Sequence, residues 1–174
     1  RAFGPRYARF ETEPMARLPR PPFSFIDAIR PTAGRQWELA PGAAAEAVWN
    51  VRPDDWYFAA ARAASMPHAV LLEVALQPCG WLAAWSGAAL RSEAPLFFRN
   101  LDGEATLHRH VARDEGAITT RCTLTSVSEA GGMILLAYDF AVASARGPIL
   151  EGTTRFGFFP EASLAHQAGV GVDA

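Results

Sequence analysis

The segment SMPHAVLLEVALQPCGWLAAW, Ser65 to Trp85, limits what this chain can fold into more than any other. It reads as one helix, with Ser65 or Pro67 near its start and Leu72, Leu76, Ala83 and their neighbours apolar on nearly all sides. A helix that is apolar all round has to be enclosed. Glu73 and Gln77 stand four residues apart and so share one face of it. An ionised carboxylate in apolar surroundings is costly unless it is paired, hydrogen-bonded or protonated, so Glu73 is the polar group that most needs a reason. On residue physics alone, a satisfied structural acid outranks a functional one. Pro78 removes a backbone bond to the carbonyl of Val74, which predicts a bend that fits the helix to a curved sheet.

The wrapping has to come from the remainder of the chain. At 174 residues, half of them hydrophobic, that is material for one domain. FSFIDAIR alternates as a strand, PTAGR is a turn, and QWELAPGAAAEAVWNV is a returning strand with an irregular centre. PDDWYF is a short turn leading inward, with Trp56, Tyr57 and Phe58 seeking burial. After the helix come APLFFRNL, GEATLHRHV, GAITTRCTLTSVS, GGMILLAYDFAVA and ILEGTTRFGFF, parted by Asp-Gly, Glu-Gly, Gly-Gly and Arg-Gly-Pro turn signals. One buried helix followed by a run of antiparallel strands is an α+β pattern in which the sheet wraps the helix. Residues 1–22, rich in Pro and Arg, are expected to form an extended linker or docking arm, residues 23–160 the domain, and residues 161–174 a C-terminal linker.

Several function classes fall away. The net charge is −2 and the 16 cations, all arginine, are scattered, so no nucleic-acid footprint is present. The longest apolar run, Ala69 to Leu90, is interrupted by Glu73, Gln77, Pro78 and Gly80 and falls short of the roughly 20 clean residues that span a bilayer. A soluble, cytoplasmic chain without a membrane partner is therefore expected, and a start without methionine suits a segment of a longer polypeptide. Cys79 and Cys122 form no CxxC pair, which predicts two free thiols and no metal. His108 and His110 alternate in LHRH and would share a face of a strand, as a solvated edge rather than a metal site; His166 lies in the tail and is expected to be exposed.

The order of Trp56-Tyr57-Phe58, Met66-Pro67, Glu73 and Gln77 resembles the β-hydroxyacyl thioester dehydratases of the hot-dog fold, of the β-hydroxydecanoyl carrier-protein dehydratase type. Over nearly the whole chain, ARLPRPPFSFIDAI, MPHAVLLEVALQPCGWLAAW, FRNLDGEATL, TLTSVSEAGGMILLAYDF and EGTTRFGFFP resemble the dehydratase-type hot-dog domains of polyunsaturated fatty acid synthases and related iterative polyketide synthases. The resemblance implies an antiparallel sheet wrapped around one long central helix. It also implies loss of water from a 3-hydroxyacyl chain carried on the phosphopantetheine of an acyl carrier protein, with no other cofactor. Such chemistry needs a base for the α-proton and an acid for the departing hydroxyl, normally a histidine and a carboxylic acid. Glu73 falls on the family's acid, Gln77 and Trp56 on its glutamine and tryptophan, and the backbone N–H groups of His68 and Ala69 on the donors that polarise the thioester carbonyl.

One element of the family pattern is missing. The loop that carries the family's histidine reads AAARAAS here, residues 59–65, and contains none. His68 is near but is better placed to line a pocket than to act as the base. Hot-dog domains work in pairs, so the resemblance implies a partner, an adjacent hot-dog domain or a second copy, that supplies the histidine to a site Glu73 completes. Two alternatives stand beside this: a pseudo-dehydratase that shapes a catalytic partner without supplying a chemical group, and a hot-dog thioesterase.

Overall fold

The computed structural model describes residues 3–13 and 15–165. Strands β1 (Ala28–Ala33) and β2 (Ala44–Val51) precede a short helix α1 (Trp56–Ala61) and the central helix α2 (His68–Trp85). Strands β3 (Leu96–Leu107), β4 (Gly116–Ala130), β5 (Met133–Ser144) and β6 (Gly147–Pro160) follow, then a single turn, α3 (Glu161–Leu164). All pairings are antiparallel and the sheet order is β1-β2-β4-β5-β6-β3. This is the α+β arrangement that the helix and strand patterns predict, with the antiparallel sheet around a central helix that the hot-dog resemblance implies.

The sheet curls because its register slips. Bulges at Pro31/Ala33, Asn100/Asp102, Leu124/Ser126 and Val142/Ala143 each add local twist, and together they bend the strands around one side of α2. Alternation then selects the core: Ile118, Cys122 and Leu124 of β4 and Ile134, Leu136, Tyr138 and Phe140 of β5 point inward. They meet Val70, Leu71, Val74, Ala75, Cys79, Leu82 and Ala83 of α2. Cys79 and Cys122 are both free and buried, and burial, then the neighbouring Cys122 thiol, push Cys79 up, so this pair packs rather than reacts.

The carbonyl that Pro78 frees is not left bare. Thr120 Oγ donates to Val74 O at 3.1 Å from the floor of the sheet. Because that carbonyl is buried, Thr120→Val is expected to destabilise the domain by about 1–3 kcal/mol, the cost of an unpaired buried acceptor, seen as a lower urea midpoint at constant slope. An unchanged midpoint would mean that the kink satisfies itself.

Several local expectations are corrected. Asp102-Gly103 is no turn: β3 runs through it, with Gly103 where a Cβ would come within 2.6 Å of Thr153 O across the strand pair. Close backbone approach, rather than a reversal, requires that glycine. PDDWYF continues into α1 instead of ending as a turn, and PTA belongs to β1, an edge strand where Pro31 owes no hydrogen bond to a further neighbour. LHRH leaves the sheet at Leu107, so His108 and His110 do not share a strand face. Finally, the N-terminal residues do not simply run extended: Pro5–Glu11 form a 3-10 helix with Phe10 buried and Tyr7 Oη donating to Ala84 O at 2.7 Å. His166 and the end of the tail lie outside the described residues.

Candidate functional site

The sheet covers only one side of α2. Ala69 and Glu73 on the other side are exposed, and Leu72, Leu76 and Gly80 beside them are half-buried. The helix is therefore apolar nearly all round but not enclosed by the described residues, and Glu73 sits in the open apolar stripe rather than in a closed interior. The side chain that holds it is Gln77, only 4% exposed. Gln77 Nε2 donates to Glu73 Oε2 at 3.0 Å and to Phe23 O at 2.8 Å, while Gln77 Oε1 accepts from the Phe25 N–H at 2.9 Å. Both amide hydrogens are thus engaged, and a carboxylate could not make the same set. Gln77 orients Glu73 and ties the segment before β1 to the helix.

That segment brings an aromatic rim. Phe23, 52% exposed, meets Trp56, 39% exposed, edge to face at 5.1 Å, and Trp56 Nε1 donates to Pro22 O at 3.0 Å. Trp56 is consequently on the surface instead of buried with Tyr57 and Phe58. Gln77→Leu is expected to release this rim: the buried Phe25 N–H and the Phe23 carbonyl lose their partners, costing about 2–3 kcal/mol in thermal or urea unfolding. Retained stability would show that residues 23–25 find other partners.

A cavity of about 200 Å³ opens at the start of α2, lined by Ser65, Met66, His68, Leu71, His110 and Val111 among others. The Met66 N–H donates to Val111 O at 2.8 Å, and Ser65 bridges Ala112, so the loop after β3 is pinned to the helix start. Its first ladder bonds run from Val70 and Leu71 to Pro67 O, and no side chain caps it. The N–H groups of His68 and Ala69 accordingly stand outside the helical ladder, where the helix dipole favours a developing negative charge. His110, read from sequence as a strand-edge residue, joins His68 in the cavity wall, while His108 Nε2 approaches Glu151 Oε1 at 3.2 Å. Nothing in the spacing signals that His68 and His110 meet, because it depends on where β3 ends.

The loop that places His110 is locked by a charge pair. Arg109 grips Glu115 with two bonds, at 2.9 and 2.7 Å, and Arg109 also donates to Ser144 Oγ at 2.8 Å. The Glu115 side chain is fully buried, and the Arg109 bonds hold its carboxyl below the usual carboxylate range despite that burial.

The cavity and Glu73 lie on different flanks of α2. Leu71, in the cavity wall, and Glu73 are two residues and so about 200° apart around the axis. Among the described residues no imidazole is brought to the carboxylate: His68 and His110 face the cavity, His108 stands by Glu151, and the 59–65 loop has none.

The family model of the FabA-like domain matches residues 18–151, most of the chain. The chain belongs to that family. This FabA-like domain is 33% identical over 120 residues to one of the subunits of a polyunsaturated fatty acid synthase from Thraustochytrium sp., an alignment that takes in 67% of the chain. The aligned part spans only 8% of that relative's length. Among solved structures, a hot-dog-like protein from Thermanaerovibrio acidaminovorans superposes with a TM-score of 0.52 at 14% identity, covering 71% of this chain and 86% of its own. A variant of a thioesterase from Staphylococcus aureus also reaches 0.52, at 10% identity, over 76% of this chain and 93% of its own. At such identities the likeness establishes the hot-dog fold alone. Among the described residues of the FabA-like domain, no helix is long and apolar enough to cross a membrane.

Proposed function

We propose that this FabA-like domain is half of a dehydratase that acts on 3-hydroxyacyl thioesters carried on the phosphopantetheine of an acyl carrier protein. Glu73 is the acid that protonates the departing hydroxyl, and a partner hot-dog domain, adjacent in the polypeptide or a second copy, contributes the histidine that removes the α-proton. The N–H groups of His68 and Ala69 polarise the thioester carbonyl. The open stripe of α2 carries this reading: a helix apolar on nearly every side, with a fixed carboxylate on the one face that the described residues leave bare. Contiguous apolar surface of that kind marks an interface, and a partner seated there would close the site around Glu73. Family membership and the relative within a fatty acid synthase agree with the substrate class.

The reading is tested by turnover of a 3-hydroxyacyl thioester by the full-length protein carrying Glu73→Gln. Loss of dehydration supports it. Turnover at the original rate would favour a second reading, a pseudo-dehydratase that only shapes its partner, to which the histidine-free 59–65 loop points.

A further inference from the structure

The open stripe of α2 stops short of the helix end. Ala69, Leu72, Glu73 and Leu76 are uncovered or half-covered, but at Gly80 the stripe meets Leu18: a Cβ built on Gly80 would be 3.1 Å from Leu18 Cδ2. A larger residue at position 80 would push the end of the Leu18 side chain outward by a few tenths of an ångström. Beyond it, the N-terminal 3-10 helix crosses the last turns, with the Phe3 ring 5.6 Å from Trp81 and Tyr7 Oη on Ala84 O at 2.7 Å. Arg9 anchors the crossing through Ala89 O at 3.2 Å and through Ser92 O, and Phe10 is buried beneath. A segment expected to be a linker is thus built into the far end of the groove.

We propose that Leu18, lying on Gly80 ahead of the turns that Phe3 and Tyr7 cover, is the stop that ends the acyl channel and sets the longest chain this domain accepts. The inference rests on the dehydratase reading, because it measures length from Glu73. With the hydroxyl-bearing carbon at Glu73, the seven residues to Gly80 give about 10 Å of helix axis, room for about eight further carbons in extended form. An acyl chain of about eleven carbons, lying between the stripe and the partner domain, reaches Gly80, and longer chains meet Leu18. Leu18 takes no part in the chemistry; it acts by excluding volume.

The test is kcat/KM of the full-length protein on a pantetheine thioester series of 3-hydroxyacyl chains from six to sixteen carbons. Each methylene that gains apolar contact is expected to raise kcat/KM about fourfold, up to a break near eleven carbons. Leu18→Ala should move the break to longer chains and improve the fourteen-carbon substrate about tenfold. Leu18→Trp should move it to shorter chains, with the six-carbon substrate unaffected by either change. Since Leu18 is 37% exposed and lies outside the hydrophobic core, both variants are expected to fold. A break that stays fixed in both, or a wild-type profile without a break, overturns the stop while leaving the dehydratase reading intact. Turnover of no length at all removes the dehydratase reading and the stop with it.

Discussion

Glu73→Gln is expected to lower dehydration by the full-length protein about 10²- to 10⁴-fold, the range for removing a positioned general acid, while leaving the fold undisturbed. The two halves of this expectation have separate causes. Glu73 is exposed, and the hydrogen bond it accepts from Gln77 Nε2 can be accepted equally by a glutamine side-chain oxygen, so unfolding should shift by less than about 0.5 kcal/mol. The amide cannot, however, deliver a proton to the leaving hydroxyl. Glu73→Asp is the informative companion: it keeps the acid but draws it back by one methylene and away from Gln77, and should retain part of the rate. Rate loss in Glu73→Gln with partial rescue in Glu73→Asp would be the signature of chemistry, and parallel unfolding of both variants would expose a structural acid instead.

Arg109→Met carries the largest stability effect, about 3 kcal/mol at neutral pH. It takes the two close bonds from the Glu115 carboxylate, whose side chain is fully buried, and leaves it Ser144 Oγ and, at 3.8 Å, the Arg146 guanidinium. The figure is at the low end for broken buried pairs because the Arg109 side chain is itself partly solvent-accessible. The sign with pH follows from the depressed Glu115 carboxyl. In the wild-type domain its pairing contributes stability above the unfolded carboxylate value, about 4.3, and loses it as pH falls through the lower folded value. In Arg109→Met the buried carboxylate has lost its strongest partner and protonates more readily, so the gap between variant and wild type should shrink as pH is lowered toward 4. Urea midpoints of both proteins at pH 7 and near pH 4 check this. A gap independent of pH would assign the loss to packing by the Arg109 stem. Because Arg109 and Glu115 brace the loop that ends in the cavity wall, the variant should also loosen His110.

How much of this was legible beforehand differs from element to element. The central helix and four of the six strands stand close to where their periodicity puts them, because alternation and all-round apolarity are properties of consecutive residues. Asp102-Gly103 misled because a turn and a bulge that admits a neighbouring strand call for the same residue types. The N-terminal residues misled because Pro and Arg content suggests a linker, whereas Phe3, Tyr7 and Phe10 at helical spacing find Trp81 and the end of α2 to pack on. Gln77 was singled out with Glu73, yet its bonds to Phe23 and Phe25 span more than fifty residues and leave no trace in local pattern.

By itself, the sequence determined that one apolar helix must be wrapped by antiparallel strands, and that a carboxylate and an amide would share a face of it, since both follow from spacing along a single element. Tertiary structure alone decided that this face stays uncovered, that Thr120 answers the carbonyl freed by Pro78, that Leu18 lies on Gly80, and that His110 joins His68 away from Glu73. The reason is that a hydrophobic residue demands burial without specifying by what. Only the folded sheet shows which side of the helix its own chain covers and which side it leaves for another surface.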